Sequence, residues 1–243
     1  MWVYISSGTH VGDVAERVDA INHQLEAPEV VFGEGGEASL RGQAHALAFL
    51  FPRAPLIALA ATLQVFVFMP LGELLGSVLT DGSKGRDLDI MQQIASEYDA
   101  EISEIDPVHT AQPVYDRPLL WGMANWLPVV ILSRGFALSE PLSISAVKTG
   151  IWLVGIGFVM FYIMLGVVNK RREDAMAVTI RRRNSDVDIA CVVLGESHHV
   201  GVGRRLVDVK GVDILNPTPA NMGWLTRFNL YSWKLIDRFR GED

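Results

Sequence analysis

Residues 151–168, IWLVGIGFVMFYIMLGVV, run without a single charge. At about 1.5 Å rise per residue, a helix of that length matches the hydrocarbon thickness of a bilayer. Lys148 precedes the run, and Lys170, Arg171 and Arg172 follow it, as basic anchors do at a membrane interface. The alternative is a helix wholly buried in a soluble core. No ionisable residue interrupts the run, which speaks against a transporter component. Two weaker stretches, 55–70 and 119–132, are strongly apolar but short, and each contains proline and an amide residue, Gln64 or Asn125.

The rest of the chain has a different composition. The 243 residues are 49% hydrophobic yet carry a formal charge of −7, so a soluble acidic part is expected beside a membrane part. No basic stripe with interleaved aromatics appears outside the last helix, which argues against a nucleic-acid partner. Cys191 stands alone and excludes an intrachain disulfide or a cysteine-cluster metal site. The N-terminus does not read as a signal peptide.

That soluble part reads as α/β. WVYIS, residues 2–6, forms a strand ending at Ser7-Gly8-Thr9-His10. Val11, Val14, Val18, Ile21 and Leu25 recur at helical spacing. Val30-Val31-Phe32 forms a second strand, ending at Gly33-Glu34. A βαβ unit requires parallel strands, so His10 and Glu34 fall on one edge of the sheet. A third strand, 187–194, stops at Gly195, and Glu196, His198 and His199 follow. Sheets of this class build sites at their carboxyl edges. His10, Glu34 and His198 therefore make a candidate divalent-metal site. Each residue taken singly is as well explained by a helix start or a solvated loop.

The pieces resemble the TraB/PrgY (pheromone shutdown) family, related to the Tiki and erythromycin-esterase-like proteins. VFGE matches its glutamate strand, and VVLGESHHVG matches its late motif with Gly195, His198 and Gly201 in register. The first motif departs from the pattern: Ser7 stands where the family has glycine, with Gly8 displaced by one. Asp116-Arg117-Pro118 is similar to a further family segment, as are Arg172-Glu173 with Met176-Ala177, and residues 85–106 with Asp87 in place of its acid. The resemblance implies peptide substrates.

The expectation is a membrane-anchored, metal-dependent peptidase or hydrolase in which the ion acidifies a bound water. Glu34 is either ligand or general base, and Arg172 either holds an anion or anchors the interface. Ser7, Gly8, Asp116, Arg117, Gly195, His199 and Gly201 would support the site. The rival is a non-catalytic membrane regulator that binds or sequesters a peptide or protein partner.

Glu34 precedes every apolar stretch and His198 follows them all, so a shared site requires an even number of crossings. Residues 119–132 are the expected partner of 151–168, because 55–70 would strand the 85–106 piece on the far side. The predicted fold is thus α/β, a mostly parallel sheet with flanking helices, interrupted by a membrane helical hairpin. Its parts are residues 1–115, the hairpin 116–169, the closing part 170–215, and 216–243. This last segment is a linker and an amphipathic helix with Trp224, Phe228, Tyr231, Leu235 and Phe239 on one face. Basic residues cluster at 170–172 and 181–183, which places an integral protein in the cell membrane with its α/β part in the cytoplasm.

Overall fold

A computed structural model describes residues 1–8, 11–34, 40–68, 70–71, 84–105, 111–139 and 142–219. His10 and the amphipathic tail lie outside the described residues. The chain divides into two compact units. The first comprises Met1–Gly36, Thr80–Pro107 and Asn169–Asp243. The second comprises Glu37–Leu79 and Val108–Val168.

The first unit is built on a five-stranded sheet. Its strands are β1 (Trp2–Gly8), β3 (Val30–Gly33), β5 (Glu101–Glu104), β6 (Ile189–Gly195) and β7 (Asp213–Ile214). Their order is β5-β3-β6-β1-β7, and every pairing is parallel. The late strand β6 therefore lies between the two earliest strands of the sheet. β-branched and apolar residues dominate it because it is buried on both faces, and its residues from Ala190 to Leu194 are fully buried.

Alternation along the strands sorts the core into two layers. Val3, Ile5, Val30, Phe32, Val192 and Leu194 face one way. They pack against Met176 and Ile180 of α7 (Leu142–Arg182) and Val202 and Leu206 of α8 (Glu196–Val207). Val31, Cys191 and Val193 face the other way, onto α1 (Val14–Gln24) and α4 (Asp87–Tyr98). Val11 does not begin the first helix. Val11–Asp13 is a short strand, β2, antiparallel to β4 (Lys84–Arg86).

The second unit is helical throughout its described residues. It contains α2 (Leu40–Arg53), α3 (Pro55–Leu63) continued by a π-turn at Gln64–Phe68, α5 (Gln112–Asp116), α6 (Pro118–Ser139) and the N-terminal part of α7. Pro55 opens α3, where a missing N–H costs nothing. Ile57, Ala58, Ala60 and Ala61 are buried at its centre with Phe161, Met164 and Val168 of α7. Gly157 lets α7 approach α3 closely, since a Cβ there would lie 2.6 Å from the Leu56 carbonyl oxygen. Asn125 is fully buried. It accepts from the Ile57 N–H at 3.1 Å and donates to the Trp121 carbonyl at 2.8 Å.

The expected fold class is corrected in two respects. Most of the described residues are helical and the sheet is small, so this is not a sheet-dominated α/β fold. Nor does a membrane helical hairpin emerge: α7 is the one described helix long and apolar enough to cross a membrane. In α6, Asn125, Pro128 and Arg134 interrupt the apolar sequence. The Asn125 side chain serves helix packing through Ile57.

Candidate functional site at the carboxyl edge of the sheet

β1, β3 and β6 run in register and end together, Gly8 opposite Gly195 and Gly33 opposite Val193. Continuing the alternation, Ser7 and Glu34 project to the α7/α8 side of the sheet. There the second half of α7 and the first turn of α8 supply the remaining groups.

Glu34 is the hub. One carboxylate oxygen accepts the Gly195 backbone N–H at 2.8 Å. The other accepts from the Arg172 guanidinium at 3.1 Å. His198 is 2% exposed, with Nε2 3.9 Å from Glu34 Oε1 and Nδ1 3.6 Å from Glu173 Oε1. The second Glu173 oxygen accepts from Arg205 at 2.8 Å, and Arg205 also donates to Asp174 at 2.5 Å. Gly201 makes this packing possible: a Cβ there would lie 2.0 Å from the Glu173 carboxylate. Both imidazole nitrogens of His198 thus face carboxylates, and Nδ1 is buried without a hydrogen-bond partner. A neutral ring can offer a proton to only one of the two acids.

His199 belongs to a separate chain of contacts. Its Nδ1 lies 2.6 Å from Ser7 Oγ, and its Nε2 lies 2.7 Å from the Asn216 carbonyl oxygen. Asn216 in turn clamps β1, accepting from the Ile5 N–H and donating to the Ile5 carbonyl, both at 2.8 Å. A segment that reads as a linker is therefore a structural clasp. Burial holds the His199 imidazole below the ordinary histidine value, against the opposing pull of the Asn216 contact and Glu196.

On the other face of the sheet, Arg17 of α1 donates to Ser6 Oγ, the Ser6 carbonyl and Asp87. The 2.6 Å Asp87 contact joins the first turn of α4 to this edge. Gly8 leaves room for the Arg17 stem, which a Cβ would meet at 3.3 Å.

The metal expectation is overturned. Among the described residues no group of three or more His, Cys, Asp or Glu side chains could hold an ion. The physical reason is local. Glu34 already serves a guanidinium and a backbone N–H, and Arg172 supplies the positive charge that a metal would bring. The divalent-metal cofactor and the metallohydrolase or metallopeptidase activity built on it fall with that geometry. Of the expected residues, Glu34, Arg172, His198 and Gly195 come together, and Gly201 supports them through Glu173. Ser7, Gly8 and His199 lie on the same edge, whereas Asp116 and Arg117 are exposed in the helical unit. Arg17, Glu173, Arg205 and Asn216 were not singled out by the sequence for any site role. Their signal is weak, because each is an ordinary charged or amide residue until the fold supplies its partner.

No family model, curated protein or solved structure matches the chain. The similarity to TraB/PrgY proteins therefore rests on the motifs alone.

Proposed function

We propose that this is a membrane protein whose apolar helical surface engages the bilayer, with α7 as the helix of spanning length, and whose sheet unit faces the cytoplasm with a proton-handling polar site. The observation that carries this reading is the outward face of the helical unit. Leu119, Met123, Leu127 and Val130 recur on one stripe of α6, and all are more than half exposed. Ile151 and Val159 on α7 are equally bare, and only 28% of the most apolar window of α7 is buried. Soluble proteins rarely expose a continuous apolar surface of that kind, whereas lipid favours it. The buried amide of Asn125 fits the same pattern, with the polar group turned inward.

Strand pairing constrains the path of the chain. β5, β3 and β6 share one hydrogen-bonded sheet, which supports placing Glu104 and Ile189 on one side of the membrane in this reading. Lys170, Arg171 and Arg172 directly follow the apolar run and favour a cytoplasmic sheet unit.

Within that unit, His198 between Glu34 and Glu173 supports proton transfer to or from a polar ligand at the sheet edge. Carbonate extraction combined with single-cysteine labelling tests the membrane reading. In a Cys191→Ala background, cysteines at Ser96 and Ser185 should both label from the cytoplasmic side, and the protein should stay with the membranes through carbonate. Release of the protein by carbonate overturns the reading, as does labelling of either position from outside intact cells.

A further inference from the structure

We propose that Ser7 is an acyl acceptor activated by His199, forming a covalent ester with a carboxylic-ester substrate at the end of β1. The inference starts from the tautomer of His199. The Asn216 carbonyl oxygen can only accept, so the 2.7 Å contact requires the proton on Nε2. The neutral ring then presents a bare lone pair at Nδ1, and the Ser7 hydroxyl 2.6 Å away must donate to it. That is the arrangement of a serine held by its general base, with the base oriented by a third group. Here the third group is a backbone carbonyl, and its own position is set by the double hydrogen bond between Asn216 and Ile5.

Three further observations agree. His199 is 1% exposed, and burial disfavours its charged form, so the ring is available as a base at neutral pH. Ser7 is half-buried rather than sealed in the core. The register partner of Ser7 is Leu194, and α8 begins two residues beyond it. Gly195, the N-cap of α8, pairs with Gly8 at the end of β1, so α8 starts at the same edge as Ser7.

The reaction balances without a metal or redox partner. Ser7 Oγ attacks the ester carbonyl carbon, the Oγ–C bond forms, and the hydroxyl proton passes to His199 Nδ1. Collapse of the tetrahedral adduct breaks the bond to the alcohol, which leaves with that proton. Water then attacks the Ser7 ester, His199 again takes its proton, and the carboxylic acid departs as Ser7 is restored.

A fluorophosphonate probe on the detergent-purified full chain tests this by intact mass and peptide mapping. The expected result is one adduct, on the peptide spanning residues 1–17, absent in Ser7→Ala and unchanged in Ser185→Ala. His199→Gln keeps a donor for the Asn216 carbonyl but removes the base, so labelling should slow by at least about 100-fold. Should Ser7→Ala fail to fold, Ser7→Cys in a Cys191→Ala background supplies the readout. Its alkylation by iodoacetamide should be fast while His199 is present and slow once His199→Gln is added. An unlabelled wild-type protein, an adduct that survives Ser7→Ala, or alkylation of Ser7→Cys indifferent to His199→Gln overturns the proposal.

Discussion

The two units solve the packing problem in opposite senses. In the sheet unit the strands carry the apolar residues inward, Phe32, Ile5 and Leu194 being essentially inaccessible. Charged groups such as Glu101 and Arg183 meet at its surface, where the Arg183 guanidinium holds the Glu101 carboxyl below the ordinary carboxylate range. In the helical unit Phe161, Met164 and Val168 share the interior with Ile57, Asn125 and several alanines, while other large apolar side chains such as Leu119 and Met123 are exposed. The first arrangement is driven by water, because burying apolar surface is favourable there. Under the membrane reading proposed above, the second would gain nothing from water and would rely on close helix contact at small residues such as Gly157. One helix, α7, serves both patterns. Its apolar first part belongs to the helical unit, and its charged second part supplies Arg172 and Glu173 to the sheet unit.

The strongest way to break this contrast is to place one charge on each outward face. Val159 and Val207 are similarly exposed, at 61% and 53%. Val159→Asp should cost about 2.5–3.5 kcal/mol of membrane insertion, read as the membrane-integrated fraction of newly made protein. Val207→Asp should change stability by no more than about 0.5 kcal/mol. Equal tolerance of the two substitutions would remove the lipid-facing assignment.

Two glycines probe the interiors. Gly157→Ala drives a methyl into the Leu56 backbone, which cannot yield without separating two helices. Gly33→Ala meets the sulfur of Met91 at 2.1 Å, the far end of a flexible side chain. Overpacking of this kind costs about 1–3 kcal/mol, with Gly157→Ala at the upper end and Gly33→Ala at the lower. Thermal unfolding followed by tryptophan fluorescence gives the order, and the reverse order would contradict the helix contact.

The smallest effect concerns pH and belongs to the sheet unit. The His199 imidazole is held below its ordinary value of 6.5 in the fold. On acidification the unfolded chain therefore takes up a proton before the folded protein does. The resulting stability is present above about pH 6.5 and is lost as the pH falls toward the folded value. His199→Gln should flatten this acid-side decline in melting temperature. A decline of the same steepness in wild type and variant would assign it to other groups.

Much of the sheet-edge site is legible in the chain because strand ends carry a local signature. Apolar runs that stop at glycine and then polar residues mark Glu34 and His198 as neighbours on one edge, and helical periodicity marks α1. The expected metal failed for a reason that no spacing reveals. Arg172 lies 138 positions from Glu34 and reads as an interface anchor, yet it occupies the place of a cation. Residues 216–219 read as a linker because proline and asparagine break regular structure, although Asn216 makes one of the tighter clasps on β1.

The sequence alone determined where apolar material concentrates, that 151–168 forms a helix able to span a bilayer, and that three strands end in polar groups. These are properties of composition and short-range periodicity, which a single segment carries by itself. Only the tertiary structure decided that β6 inserts between β3 and β1, that Arg172 neutralises Glu34, and that Ser7 meets His199. The physical reason is that each of these contacts joins residues more than a hundred positions apart. Their energy arises from the pairing of two surfaces, and neither surface encodes its partner.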